Sequence, residues 1–479
     1  MAALSQLASN CNTSLPYPAV FGAEFTSIQA SLVVNYTRFV PAYYNFNHGD
    51  IRGDNMTFCN ITLTHTHPVG GGGWVAGLSS FTDIGMSGAV AQGYATVTSN
   101  GGASPEYPSE GALLSPGNVD YFKLNSFASV SLHDAALAAK SMITSFYGQG
   151  PAYSYWSGCS QGGRQGMMFA QRSPDVFDGI AASAPAINWS QFLTADYFPQ
   201  QVMNELGQFP HPCELDALTV AAIDACDGND GMIDGIISDP DSCFFDPLTM
   251  VGTSTNCASA TANITISQAA AVVAEAAWTG ARKADGSFLW YTPGYEANLT
   301  SSTSLAGTTC SAIGTCTRQD LSLLTDWIKL FIAKDPNFGI ANMTRQKYEH
   351  VFQAGVREYE SMIGTNSPDL SEYRATGGKI IAYHGLADEI IPFRNSRHYY
   401  DTVTSLDPDV HDFYRLFEAP GLQHCYRGVG GYPSGTFDAL VQWVENGIVP
   451  DTLKATSPSN HTTLLRPYRS KHDLKWRVE

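Results

Sequence analysis

The segment Gly158-Cys159-Ser160-Gln161-Gly162 has the form G-x-S-x-G. A serine hydroxyl is a weak nucleophile unless a tight turn exposes it beside a base, and small flanking residues permit such a turn. In a chain with 44 glycines the pattern alone carries little weight. Its value comes from order, because one large group of hydrolases places an acid and then a histidine downstream of the serine. Asp388, in His384-Gly385-Leu386-Ala387-Asp388, and His424, in Gly421-Leu422-Gln423-His424-Cys425, stand in that order. In such a trio His424 takes the Ser160 proton and later returns it to a leaving alcohol, while Asp388 fixes the imidazole tautomer and stabilises its charged form. Negative charge developing on a carbonyl oxygen needs backbone donors. The amide of Gln161 is one expected donor, and the glycine run 70–73, with Gly72 in it, is the expected source of another. Cys159 and Cys425 stand directly beside Ser160 and His424. If those two side chains approach within hydrogen-bond reach, the neighbouring backbones come close enough for a disulfide.

A nucleophile on such a turn needs a strand before it and a helix after it. The apolar stretch 153–156 reads as a buried strand and 161–171 as the helix that follows. The Ala-rich segment 132–146 (LHDAALAAKSMITSF) has apolar residues at helical spacing. Strands are expected at 379–383 (KIIAY) and 413–417, with a helix over 436–446. Asp388 and His424 then lie just past strand ends, where α/β folds place their sites. Residues 1–110 read as short β segments, for example 30–34 and 58–64. The middle, 187–377, holds six of the ten cysteines and reads as an inserted, disulfide-stapled lobe. The expected architecture is α/β on a mostly parallel sheet, with a discontinuous domain of 1–186 and 378–479 around the 187–377 insert. The end, 466–479, carries five of the 26 basic residues and reads as a solvated tail.

Composition removes whole classes of function. The 479 residues are 44% apolar and 15% charged, a globular balance, and their net charge is −18. A polyanion or an anionic membrane surface is held chiefly by Lys and Arg, so neither nucleic acid nor membrane is an expected partner. No stretch approaches 18 uninterrupted apolar residues. Ten cysteines allow five disulfides. Nine Asn-x-Ser/Thr sequons occur, at Asn12, Asn35, Asn55, Asn60, Asn188, Asn263, Asn298, Asn342 and Asn460. Chance would give about four in such a composition, so a glycosylated, secreted protein is expected, although residues 1–12 show no leader pattern.

With these residues in view, the chain resembles the tannase and feruloyl esterase family, whose signature is Cys-Ser, a distant Asp, and His-Cys. The stretch Tyr155-Trp156-Ser157-Gly158-Cys159-Ser160-Gln161-Gly162-Gly163-Arg164, the later Asp178-Gly179-Ile180-Ala181-Ala182, and residues 70–74 match it. The resemblance implies an α/β-hydrolase fold, a large lid inserted between Ser and Asp, and hydrolysis of phenolic esters. It further implies Ser160, Asp388 and His424 as catalytic residues and a Cys159–Cys425 disulfide. Two stretches depart from the family pattern. His67-Pro68-Val69 runs straight into Gly70, where members carry roughly some tens of residues of β-structure, and the basic end lacks the cysteine expected there.

The insert holds a second chemical signal in Cys226-Asp227-Gly228-Asn229-Asp230-Gly231-Met232-Ile233-Asp234-Gly235-Ile236. Hard oxygen donors clustered between turn-forming glycines suit Ca²⁺, which takes six to eight oxygens, better than Mg²⁺, which dehydrates reluctantly. The spacing is not that of an EF-hand. It resembles the family's lid calcium loop, which implies Asp227, Asp230 and Asp234 as ligands together with the carbonyls of Met232 and Ile236. Cys226 and Cys243 flank the loop and are placed to staple it.

The leading reading is a secreted serine esterase that cleaves hydroxycinnamoyl esters such as feruloyl esters through an acyl-enzyme, with a structural Ca²⁺ and no organic cofactor. Its substrate is a small aromatic ester or a phenolic ester of the plant cell wall. A tannase acting on galloyl esters, a disabled hydrolase fold that only binds phenolic ligands, and a peptidase on the same fold are the rivals.

Overall fold

The computed structural model describes residues 2–20, 23–65, 73–74, 80–99, 107–260, 262–312 and 315–469. Strands β1 (Phe25–Val40) and β2 (Ile51–His65) pair antiparallel as one ribbon. The Cys11–Cys59 disulfide ties the preceding helical segment to β2, and α1 (Ser80–Ala91) packs against the ribbon. The short segments expected at 30–34 and 58–64 are therefore parts of strands 16 and 15 residues long. Polar Ser, Thr and Asn residues continue the extended backbone beyond the apolar stretches that marked it.

From there the chain alternates. Helix α2 (Ser131–Tyr147) leads to β3 (Tyr155–Cys159), α3 (Gln161–Arg172) and β4 (Gly179–Ser183). Residues 187–377 add no described strand to that sheet. They supply helices including α4 (Trp189–Ala195), α5 (Pro212–Cys226), α6 (Gln268–Thr279) and α7 (Arg345–Tyr359), with three short antiparallel strand pairs. The alternation resumes with β5 (Lys379–Gly385), α8 (Phe393–Leu406), β6 (Tyr414–Ala419) and α9 (Thr436–Asn446).

The central sheet has the order β6-β5-β4-β3, with every neighbouring pair parallel. Both faces are covered, which is why its inner strands are almost wholly apolar. Ile180, Ala182, Ile380 and Ala382 face Met167 and Phe169 of α3 and Tyr399, Tyr400 and Val403 of α8. Their sequence neighbours Ala181, Ile381 and Tyr383 face Phe437, Leu440 and Trp443 of α9. A third apolar cluster gathers the middle segment's helices around Trp189, Trp327 and Phe331, and Trp74 stacks into it with 5.0 Å between its ring and that of Phe331.

Two expectations need correction. The strand expected at 153–156 begins at Tyr155, which pairs with Gly179, and it is an outer strand with Ser157 exposed rather than a buried one. The solvated tail fails over residues 467–469. Pro467 bridges to Phe417, the Tyr468 N–H donates to Leu416 O at 2.7 Å, and Arg469 pairs with Asp401 at 2.8 Å. Residues 470–479 lie outside the described residues.

All ten cysteines are paired: besides Cys11–Cys59 the disulfides are Cys159–Cys425, Cys213–Cys257, Cys226–Cys243 and Cys310–Cys316. Seven of the nine sequon asparagines are exposed and Asn298 is half-buried, whereas Asn188 is buried at 3% exposure. Among the described residues no helix is long and apolar enough to cross a membrane.

Candidate active site

Parallel strands bring the predicted residues to one edge of the sheet. Ser160 follows β3, Asp388 lies three residues beyond β5, and His424 lies five beyond β6. Ser160 itself sits at φ 62°, ψ −122°, a sparsely populated conformation for a residue with a side chain and the mark of a sharp strand-to-helix turn. The turn is pinned on both sides. Ser160 N–H donates to Ser183 O at 3.1 Å, and Ser160 O accepts from Arg164 at 2.9 Å and Ala186 at 3.1 Å. Gly158 is required by close approach, because a Cβ there would stand 2.6 Å from the Gly162 carbonyl carbon.

Asp388 is fully buried. Its Oδ1 accepts the N–H groups of Ile390 (2.9 Å) and Ile391 (2.8 Å), which leaves Oδ2 to face His424 Nδ1 at 2.8 Å. The same Oδ2 is 3.2 Å from Nε2 of His384, a contact the sequence reading missed. His384 Nε2 also lies 3.0 Å from Ile391 O, an acceptor only, so that nitrogen carries the proton while Nδ1 accepts from Ser396 Oγ at 2.8 Å. Its place four residues before Asp388 at the end of an apolar strand was the available signal. Burial pushes the Asp388 carboxyl up, but the two imidazoles outweigh it and hold it below the usual carboxylate range. For His424 burial pulls down, and the charge and hydrogen bond of Asp388 with the charge of Glu389 more than reverse this. Glu389 accepts the His424 backbone N–H at 3.2 Å, and its own carboxyl is raised by burial and by Asp388.

The serine and histidine segments are joined covalently. Cys159 and Cys425 form a disulfide with 6.0 Å between Cα atoms, which seats the residue before Ser160 against the residue after His424. Tyr383 Oη donates to Cys425 O at 2.7 Å and fixes the same loop from below. Behind Ser160, the buried Arg164 guanidinium donates to Gln161 Oε1 (2.7 Å), Thr365 Oγ1 (2.9 Å) and Ala128 O (3.0 Å), which locks the first turn of α3 and with it Gln161. The other expected oxyanion donor, Gly72, lies outside the described residues. Two residues on, Trp74 is buried and its Nε1 donates to Leu323 O at 3.1 Å.

The acidic loop follows α5. Asp227 accepts the N–H groups of Asp234 (3.0 Å), Gly235 (3.0 Å) and Ile236 (3.3 Å), and Asp230 accepts that of Met232 at 2.9 Å. The backbone donors hold the Asp227 carboxyl down, whereas burial and the adjoining Asp227 charge push Asp234 up. Cys226–Cys243 closes the loop. The all-oxygen donor set and the repulsion between neighbouring carboxylates fit a hard divalent cation. In this conformation the three carboxylates stand further apart than the ligands of one ion, so holding it requires the loop to draw them together. The convergent group elsewhere, His211, Cys213 and Cys257, has its two sulfurs joined in a disulfide and offers no thiolate.

This arrangement, a strained serine after a parallel strand and a buried Asp–His pair tethered to it, is that of an acyl-transfer hydrolase. Comparison with known proteins specifies it. Residues 64–476 match the family model for tannase and feruloyl esterase. A probable feruloyl esterase of Arthroderma benhamiae is 39% identical over 406 residues, 82% of this chain and 74% of that protein. Among solved structures, a tannin acyl hydrolase from Aspergillus niger is similar with a TM-score of 0.84 at 27% identity, covering 97% of this chain and 93% of the other. Feruloyl esterase B from Aspergillus oryzae gives 0.74 at 25% identity, covering 94% and 93%. The chain belongs to the tannase and feruloyl esterase family and is a carboxylic ester hydrolase.

Proposed function

We propose that the chain is a secreted serine esterase of α/β-hydrolase architecture that cleaves hydroxycinnamoyl esters, feruloyl esters among them. In this reading residues 1–186 and 378–479 form the catalytic domain and 187–377 its lid. The observation that carries it is the 2.8 Å Asp388–His424 contact combined with the Cys159–Cys425 disulfide beside Ser160. With Nδ1 engaged by Asp388, Nε2 of His424 is the nitrogen left to take the Ser160 proton. The Ser160 Oγ then bonds to the ester carbonyl carbon, and the oxyanion is met by the backbone N–H of Gln161 and one from Gly72. His424 returns its proton to the alcohol oxygen as that C–O bond breaks. A water, deprotonated by the same imidazole, hydrolyses the acyl-enzyme.

The feruloyl preference is supported by the 39% identity to a protein named for that activity; the similarity to a tannin acyl hydrolase supports galloyl esters as the second reading. Hydrolysis of methyl ferulate and methyl gallate separates them. Faster ferulate turnover is expected, faster gallate turnover would move the chain to the tannase reading, and no turnover by folded protein would leave only a binding role. Secretion is supported by five disulfides and seven exposed sequons.

The pH profile has a definite sign. His424 must be neutral to accept a proton, and its pKa is raised; activity is therefore lost as pH falls through that raised value, while Asp388, with its pKa lowered, stays ionised. The acid limb of kcat/KM is expected above the ordinary imidazole value of about 6.5. A midpoint at or below it would contradict the assigned pair.

Asp227, Asp230 and Asp234 with the carbonyls of Met232 and Ile236 would hold a structural Ca²⁺, which supplies charge neutralisation in the loop and no reaction step. Chelation is expected to lower the melting temperature through loss of native-state binding. An unchanged melting temperature in metal-analysed protein would return the loop to a plain acidic turn.

A further inference from the structure

Three residues before His424 the chain passes through Gly421 at φ +65°. A Cβ at that position would stand 3.0 Å from two side-chain carbons of Ile236 and 3.0 Å from Gly430 N, so the end of the acidic loop lies directly against the approach to His424. Beside them stands the half-buried Glu296. Its Oε1 accepts the N–H of Ile237 at 2.9 Å, and the Gly421 N–H faces the carboxylate closely enough to favour its charged form. One carboxylate from the middle segment thus anchors the backbone next to Ile236, the residue that packs against Gly421. A parallel tie runs beside it. Asp241, inside the Cys226–Cys243 loop, pairs with Arg397 at 2.8 Å and Arg394 at 3.6 Å on α8. Arg397 in turn binds Glu418 on β6, the strand that leads into Gly421.

We propose that Glu296 is a positioning residue for His424, clamping the acidic loop onto the segment that carries the histidine. The proposal rests on His424 being the base. Asp388 and Glu389 hold the imidazole and the amide of His424 from the β5 side. The entry to its loop is fixed from the other side, at Gly421, where Val429 and Gly430 N–H groups also converge on Gly421 O at 3.1 and 3.0 Å. An acceptor that fixes Ile237 fixes Ile236 against Gly421, and so sets how far that entry stands from the rest of the site. A displacement of about 1 Å in a catalytic group costs roughly 100-fold in rate.

Glu296→Ala is expected to lower kcat for methyl ferulate about 10–100-fold with KM within about twofold, because the group touches no substrate. Glu296→Gln keeps the shape and one acceptor oxygen, so it is expected to fall between the two. Gly421→Ala, which pushes Ile236 away from the same junction, is expected to give the kcat loss of Glu296→Ala. The double variant is expected to be no worse than the poorer single one, since both break one contact. If Glu296→Ala does not fold, Glu296→Gln and Gly421→Ala carry the test. Folded variants with wild-type kcat, or a loss confined to KM, would overturn the positioning role while Ser160-dependent turnover left the esterase reading intact. Wild-type turnover that survives Ser160→Ala would overturn both together.

Discussion

Ser160→Ala is expected to reduce kcat for methyl ferulate by on the order of 10⁶-fold, with the fold unchanged. The size of the effect follows from the chain of groups built to serve one oxygen. Asp388 spends two amide donors and two imidazoles on being an oriented anion, and the imidazole it orients has no substrate-side task unless Ser160 Oγ is there to be deprotonated. The backbone at Ser160 is held by three hydrogen bonds that an alanine retains, and its positive φ is no worse for alanine than for serine. Stability should therefore change by less than about 1 kcal/mol. The measurement is steady-state hydrolysis alongside thermal unfolding of both proteins. Turnover within tenfold of wild type would place the nucleophile elsewhere.

Breaking the Cys159–Cys425 disulfide by a double change to serine is expected to cost both stability and rate. The bond closes a loop spanning 266 residues, and a native disulfide closing a long loop contributes about 2–5 kcal/mol, part of it by restricting the unfolded chain. Removing it also frees the residue after His424, whose carbonyl is then held by the Tyr383 hydroxyl while the Glu389 carboxylate holds the His424 amide. A fall in kcat of about 100-fold is expected from the loosened geometry. Full kcat in a protein that merely melts earlier would show that the bond is structural and that those two contacts suffice to place the base.

The α/β alternation was legible where patterns were strong. The helices over 132–146 and 161–171 each end one residue further on, at Tyr147 and Arg172, and the helix at Thr436–Asn446 falls where it was expected. The inner strands read clearly because Ile380, Ile381 and Ala382 are buried on both faces, so nothing polar interrupts them. The outer strand was shifted, since Tyr153 is apolar yet exposed and the pairing that defines a strand begins only at Tyr155. The ribbon's length was hidden because its strands are held by mutual backbone pairing rather than by a buried face. At the site, Ser160, Asp388 and His424 were legible from motif and order, and the structure brings Asp388 and His424 together. His384, Glu389 and Glu296 were not. Each acts through a contact made by folding, between a carboxylate or imidazole and a group with no fixed spacing from it, and periodicity has no way to register that.

The short return of the chain at Pro467 and Tyr468 bears on how copies of this molecule behave towards one another. Among the described residues β6 is the outermost strand on its side of the central sheet, and a bare outer strand offers unpaired N–H and C=O groups to any extended chain that meets it. Here those positions at Leu416 and Phe417 are already taken by the protein's own residues, one of them a proline that has no N–H to offer onward. The segment acts as a built-in stopper against strand-to-strand aggregation. A chain cut before Arg466 would keep its catalytic groups and lose its colloidal protection.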